Sequence, residues 1–153
     1  MLTLRMADKN DCDLYYKWAN DELVRANSFH SGNISYEKHV LWFNDKINDR
    51  NTFFYLFTEH GNMPAGQVRI EKKEKETVIG ISIDEAFRGK SLAAKMLVMA
   101  SNDFLSKFPQ EKILAYIKTS NQASYRAFLK AGFMLRETAV VSGAESYILI
   151  KTL

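Results

Sequence analysis

The chain has 153 residues, 46% of them hydrophobic and 25% charged, and a formal net charge of +3. That is enough chain for one domain with a substantial core, and the composition excludes disordered and fibrous classes. The small positive charge suits an anionic small ligand and is too weak for a nucleic-acid binder. The single cysteine, Cys12, excludes an internal disulfide. The N-terminal stretch MLTLRMADKND lacks a signal-peptide pattern, and no apolar run is long enough to cross a membrane. The expectation is a single domain over residues 1–153, in the cytoplasm, with no nucleic-acid or membrane partner and no metal.

Leu2 to Met6 alternates and predicts a first strand. Asn10 or Asp11 is placed to cap a helix that turns Leu14, Tyr15 and Trp18 inward. Residues 20–30 are polar with scattered anchors, a loop or broken helix. Ser35 caps the next helix, where Tyr36, Val40, Phe43 and Ile47 share a face and His39, Trp42 and Lys46 lie on another. Thr52 to Thr58 is dense in aromatics and predicts a strand buried on both sides, and Ala65 to Glu71 predicts its neighbour. The charged run Glu71 to Glu76 makes a solvated hairpin tip.

Ile79, Ile81 and Ile83 then alternate with Gly80, Ser82 and Asp84, a strand with one buried face. Past Lys90, Ala93, Leu97, Ala100 and Phe104 change to a helical stripe that Pro109 ends. Lys112 to Lys118 is a further strand, Thr119-Ser120-Asn121 a cap region, and a short helix runs through Lys130 to a stop at Gly132. Phe133 to Val141 and Ser146 to Leu153 form a last strand pair turned at residues 142–144. The predicted order is β-α-α-β-β-β-α-β-α-β-β, an α/β chain (α+β in its mixed sheet) with helices on both faces.

The stretch Phe87-Arg88-Gly89-Lys90-Ser91 joins that strand to its helix. Amides at a helix start lack intrahelical partners and carry the positive end of the dipole, so they form an anion site. Gly89 allows close approach, and Arg88 and Lys90 add charge. This is the chemistry of a diphosphate cradle. One source of the diphosphate is a nucleotide, because Gly89-Lys90-Ser91 looks like the end of a G-x-x-x-x-G-K-[ST] phosphate loop. Asp84 stands where the first glycine of that loop belongs, and its carboxylate would repel a phosphate.

The other source is coenzyme A. Arg88-Gly89-Lys90-Ser91-Leu92-Ala93 resembles the [Q/R]-x-x-G-x-[G/A] loop of the GNAT acetyltransferases. Asn121 to Phe133 resembles their N-x-x-[A/S]-x-x-x-[Y/F]-x-K-x-G-F block, at the family's usual separation. The resemblance implies a GNAT-like fold whose central sheet splays between the strands at 78–84 and 112–118. Acetyl-CoA would be cosubstrate, its pantetheine arm against Ile81, Ser82 and Ile83 and its pyrophosphate on Arg88, Gly89, Lys90, Ser91, Leu92 and Ala93. Asn121, Ser124 and Phe128 would line the later helix. Two positions depart from the family: Ser91 replaces a loop glycine, and Phe128 stands where many members carry a proton-donating tyrosine. Tyr125, and after it Ser124, are the nearest hydroxyls.

The implied chemistry is direct attack of an amine on the thioester, with a backbone N–H at Ser82 or Ile83 meeting the oxyanion and a base drawn from Glu76, Asp84 or His30. The N-terminal third resembles the family branch that acetylates nucleotide-linked amino sugars, as in the pseudaminic acid pathway. It does so through Trp18-x-Asn20-Asp21, Val24-Arg25, Ser28-Phe29, His39, Trp42-Phe43 and Gly66-Gln67-Val68-Arg69. The acceptor would then meet Arg25, Phe29, His30 or His39, Trp42 and Arg69. Acetylation of ribosomal-protein N-termini is the alternative acceptor, and a non-catalytic CoA-binding module is the alternative of another class. The expected partners are acetyl-CoA and a small amine, with a homodimer left open.

Overall fold

Period-two alternation and helical spacing produce the expected elements, with shifts at their ends. In a computed structural model describing residues 1–153, the strands are β1 (Thr3–Met6), β2 (Thr52–Glu59), β3 (Met63–Lys72), β4 (Thr77–Ile83), β5 (Ile113–Lys118), β6 (Met134–Val141) and β7 (Ala144–Lys151). The helices are α1 (Cys12–Ala19), α2 (Glu22–Asn27), α3 (Tyr36–Ile47), α4 (Leu92–Lys107) and α5 (Gln122–Lys130). The broken segment after residue 20 is thus a helix of its own, started by the Asp21 carboxylate accepting from the amides of Leu23 and Val24. Asp11 does stand at the N-cap position of α1, but its side chain makes no cap bond there; the capping carboxylate is that of Asp8, which begins a short 3-10 turn over Lys9–Asp11 that leads into α1. Asp11 instead closes the reciprocal capping box and takes a bidentate bond from Arg5. Ser35 and Asn121 cap α3 and α5 as expected.

The seven strands form one mixed sheet in the order β1-β2-β3-β4-β5-β7-β6. Every neighbouring pair is antiparallel except β4 and β5, which are parallel and joined by only two rungs, Thr77 to Ile113 and Val78 to Leu114. Beyond Val78 the two strands part, so the sheet is split for most of the length of β4.

One face of the sheet packs on α4 and α5 around Met96, Leu97, Phe104, Phe128, Ile79 and Leu149. The other packs on α1 and α3 through Tyr15, Trp18, Phe43, Phe54 and Leu56. Each such side chain, fully buried, contributes about 1.5–3 kcal/mol, and the tilted and stacked rings of Tyr15, Phe43 and Phe54 add geometry to the packing. His39 belongs to this second core. It is 1% exposed, its Nε2 lies 2.9 Å from the Cys12 carbonyl oxygen, and its ring stacks on Phe43. It therefore offers nothing to an acceptor.

Candidate active site

The parting of β4 and β5 opens a cavity of about 980 Å³ that reaches both faces of the sheet. On the α4 side it is walled by Ile79, Ile81, Leu92 and Phe128; on the other by Trp18, Trp42 and Phe29. The phase of the β3–β4 ladder decides which amides look into it. The amide of Asp84 donates to the Ala65 carbonyl at 2.8 Å, and the register runs unbroken from there, Ile83 opposite Gly66 and Ser82 opposite Gln67. Antiparallel bonding alternates, so the backbone of Ser82 points at β3 while those of Ile81 and Ile83 point into the split. Of the two amides expected to meet the oxyanion, that of Ser82 is spent on the ladder and that of Ile83 is free, as is that of Ile81.

At the C-terminal end of β4 the chain turns through Gly89 at φ 74° and Ser91 at φ 59°. Two left-handed residues flanking Lys90 give a concave run of backbone. The amides of Gly89, Lys90 and Ser91 donate to no backbone carbonyl, and α4 starts at Leu92 with no side-chain cap and no acidic residue in its first turn. Serine in the left-handed region costs about 1–2 kcal/mol. A Cβ on Gly89 would meet nothing within 4 Å, so the glycine is there for backbone conformation and for leaving the cradle open. Orphan amides on a dipole end are what a pyrophosphate requires.

The charged side chains of the loop behave differently from expectation. Arg88 turns away from the cradle, its Nη2 donating to Asp21 Oδ1 at 2.6 Å and so tying the loop to the start of α2. Lys90 lies with its ammonium 5.4 Å from the Phe87 ring centre and is not among the lining residues. Asp84 is 6% exposed. Its Oδ2 accepts from Trp18 Nε1 at 2.8 Å and Lys17 Nζ at 3.3 Å, and its Oδ1 accepts from the Ala86 amide at 3.0 Å. Burial alone would push its carboxyl up, but the bonds from Trp18, Ala86 and Lys17 outweigh it and hold it below the usual carboxylate range. Asp84 is a buried anchor for α1, which removes it from the candidate bases and explains an aspartate where a nucleotide loop would need glycine.

Where β4 and β5 first part, Tyr116 on β5 donates its hydroxyl to Glu76 Oε2 at 2.6 Å, and both residues line the cavity. Burial, and then the bond to Glu76, push the Tyr116 phenol up to about 12, so it keeps its proton at neutral pH. Glu76 is therefore part of the cavity, not only of the hairpin tip. Along α5, Ser124 lines the cavity and Asn121 Oδ1 accepts the Ser124 amide at 3.2 Å, leaving the Asn121 amide nitrogen free to donate. Tyr125 does not reach the cavity. Its ring stacks on Tyr147, centres 3.9 Å apart, on another side of α5.

All five residues expected to meet an acceptor, Arg25, Phe29, His30, Trp42 and Arg69, line the cavity. Two are committed elsewhere. Arg25 donates to the carbonyls of His30 at 2.6 Å and Gly32 at 3.3 Å, shaping the loop after α2. Arg69 pairs with Glu71 at 2.9 Å and lies 5.1 Å from the Trp42 ring centre. Sequence reasoning missed Tyr116 and Lys73. Gln67 it had as part of a family pattern, with no role. Tyr116 occupies an alternating position in KILAYIK, opposite the inward Ala115 and Ile117, and that alternation was the available signal.

The sheet parted at β4 and β5 is thus an open slot with an uncapped helix start beside it. Residues 1–134 match the family model described as an acetyltransferase (GNAT) domain, and the chain belongs to that family. The uncharacterized N-acetyltransferase YfmK of Bacillus subtilis (strain 168) is 35% identical over 80 residues, 51% of this chain and 52% of its own, so the match spans about half the length of that curated relative. A spermidine N-acetyltransferase from Vibrio cholerae, solved with CoA and spermine, superposes with a TM-score of 0.83 at 17% identity over 97% of this chain and 92% of its own. The aminoglycoside acetyltransferase AAC(6')-Ib, solved with coenzyme A and kanamycin, gives 0.79 at 18% over 99% and 95%. At these identities the likeness is one of fold.

Proposed function

We propose that the chain is an N-acetyltransferase that takes acetyl-CoA as donor and a small primary amine as acceptor. The observation that carries this reading is the split sheet: β4 and β5 share two rungs and then leave the Ile81 and Ile83 backbone unpaired beside an uncapped helix start. An extended arm bearing amides pairs with such an edge as an added strand would, while the orphan amides from Gly89 to Ala93 hold its pyrophosphate. Asn121 and Ser124 face the same arm from α5.

Acetyl-CoA supplies an activated thioester: the amine nitrogen forms a bond to the acetyl carbon, the C–S bond breaks, and the amine's proton is removed while CoA leaves as a thiol. Glu76, held by Tyr116, is the base that takes the amine proton, and the Ile81 or Ile83 amide meets the carbonyl oxygen as charge develops there. Ser124 is the hydroxyl placed to return a proton to sulfur.

Charge favours the acceptor class. The cavity is lined by one carboxylate, Glu76, against Arg25, Arg69, Lys73 and Arg88. Arg69 and Arg88 are neutralised by Glu71 and Asp21, which leaves Arg25 and Lys73 facing the single glutamate. Such a wall repels polycations such as spermine or kanamycin and suits an amine on an anionic carrier, so a nucleotide-linked amino sugar is the acceptor proposed here.

The test is an acetylation screen of amino-sugar nucleotides, polyamines, aminoglycosides and short peptides read by mass, beside calorimetry with CoA and ATP. Acetylated amino-sugar nucleotide and CoA binding are expected. Acetylation of polyamines or peptide N-termini alone would replace the acceptor, and ATP binding without CoA binding would remove the whole reading.

A further inference from the structure

Helix α2 is held in place by polar links and not by the core. None of its six residues is buried, yet Leu23, Val24, Arg25 and Asn27 line the cavity. A surface helix that short has little stability of its own and stays where something holds it. Two cations hold it, one from each side of the split. At its start Arg88, in the loop that follows β4, donates to Asp21 Oδ1 at 2.6 Å. At its end Lys118, the last residue of β5, donates to the Ala26 carbonyl at 3.3 Å and lies 5.9 Å from the Phe29 ring centre. β4 and β5 have parted well before these points, so α2 bridges the open end of the split, tied to one bank by Arg88 and to the other by Lys118.

The loop after α2 is bound to it as one piece. Asn20 Nδ2 donates to the Ile34 carbonyl at 2.8 Å, and Asn20 Oδ1 accepts from the Ile34 amide at 2.9 Å. Between those ends Arg25 donates to the carbonyls of His30 and Gly32. Residues 20–34 are thus an internally bonded unit, and α2 carries Phe29 and His30 with it on the cavity wall. The Arg88 and Asp21 side chains are 29% and 16% exposed. That shelter makes the pair a firmer link than a fully solvated one, where screening and side-chain entropy cancel most of the gain.

Resting on the N-acetyl-transfer reading above, we propose that Arg88 and Lys118 are positioning residues for the acceptor. Together they hold α2 across the split and so fix Arg25, Phe29 and His30 against the slot in which the amine is presented to the thioester. Arg88 does this from the loop whose backbone amides hold the pyrophosphate. Its side chain serves the acceptor, while the amides beside it serve the donor.

A bridge and a phosphate ligand predict different signs. Arg88→Gln is expected to raise acceptor KM about fivefold or more, with kcat and CoA affinity within about twofold of wild type. Asp21→Asn still caps α2, since asparagine accepts from the Leu23 and Val24 amides as aspartate does, and is expected to show the same split. The double variant is expected to lose no more than the larger single one, because both remove one link. Lys118→Met removes the bond to Ala26 at nearly equal length, again with acceptor KM alone affected. Hydrogen exchange gives a readout that needs no acceptor. Amides over residues 23–34 are expected to exchange about tenfold faster in each variant, with α4, β5 and Tm unchanged. Weaker CoA binding in Arg88→Gln beside tighter CoA binding in Asp21→Asn would overturn the assignment and make Arg88 a phosphate ligand. So would wild-type acceptor KM in Arg88→Gln and Lys118→Met, unchanged exchange over 23–34, or parallel losses for donor and acceptor with a lower Tm. A wild-type protein that binds CoA but acetylates no amine would instead overturn the N-acetyl-transfer reading and the acceptor role with it, while faster exchange in the variants would still mark α2 as held from both banks.

Discussion

At the α4 end of the cavity the polar groups are backbone amides, from Gly89 to Ala93 and at Ile81 and Ile83, and almost none of them depends on a side chain. At the α1–α3 end they are side chains, and most are already held by another: Arg88 by Asp21, Arg69 by Glu71, Glu76 by Tyr116, Gln67 by Ser82. A ligand gripped by backbone is tolerant of the residues around it, provided nothing intrudes. A ligand read by interlocked side chains is sensitive to each link. The first end suits a cosubstrate common to a family, and the second an acceptor that differs between members.

The sharpest way to break that contrast is to intrude on the backbone end. Gly89→Asp puts a carboxylate into the open space above the cradle, a few ångström from where a pyrophosphate would sit. A repulsion of about 3 kcal/mol between partly screened charges makes CoA binding roughly a hundredfold weaker. The left-handed backbone adds about 1–2 kcal/mol of destabilisation, which leaves the fold intact. Calorimetry with CoA, beside a thermal melt, checks both. Retained affinity would mean that the amides of this loop do not hold the phosphates.

The same contrast decides how much was legible in the sequence. Strand, loop and helix from Ile79 to Phe104 were readable because their signals are local: alternation, Gly89, then a helical stripe. The split between β4 and β5 is expected from the resemblance to the GNAT family, carried by the two motif blocks. The side-chain end was readable only as a list of residues, since its links join positions far apart in the chain. Arg88 and Asp21 are 67 residues apart and Tyr116 and Glu76 are 40, and nothing in either segment announces its partner. Charge beside a glycine loop suggests Arg88 and Lys90 as phosphate ligands. The structure shows one on an aromatic ring and the other in an ion pair. The backbone phase that ties up the Ser82 amide and frees those of Ile81 and Ile83 is likewise set by register, and composition carries no record of register.

At the side-chain end, the largest effect is expected where proton transfer is carried. Glu76→Gln keeps the shape and a carbonyl oxygen for the Tyr116 hydroxyl but removes the proposed base, and kcat should fall by about a hundredfold to ten-thousandfold with CoA affinity unchanged. Tyr116→Phe removes only the bond that orients Glu76, worth about 1.5–3 kcal/mol at most for a hydrogen bond to a charged group, and should be the milder of the two. Steady-state kinetics with an identified acceptor, each variant against acetyl-CoA and acceptor separately, would order them. A Tyr116→Phe loss equal to that of Glu76→Gln would mean that the pair acts as one unit and not as base and support.

The smallest effects sharpen the comparison most, because they concern neighbours on one helix. Ser124 and Tyr125 are adjacent, yet only Ser124 lines the cavity, while Tyr125 lies against Tyr147 with ring planes 20° apart. Phe128, one turn beyond Ser124, is 2% exposed and packs edge-on against Phe133, so the helix presents a hydroxyl to the slot at Ser124 alone. A thiol has an ordinary pKa near 8.5, so a departing thiolate gains only modestly from a proton donor at neutral pH. Ser124→Ala should therefore lower kcat by about tenfold or less, with the deficit shrinking as pH rises through the thiol's pKa. Tyr125→Phe keeps the stacked pair and removes a hydroxyl that faces away from the cavity, so kcat should not move. A slowed Tyr125→Phe beside an unchanged Ser124→Ala would reverse the assignment and require α5 to turn when CoA binds.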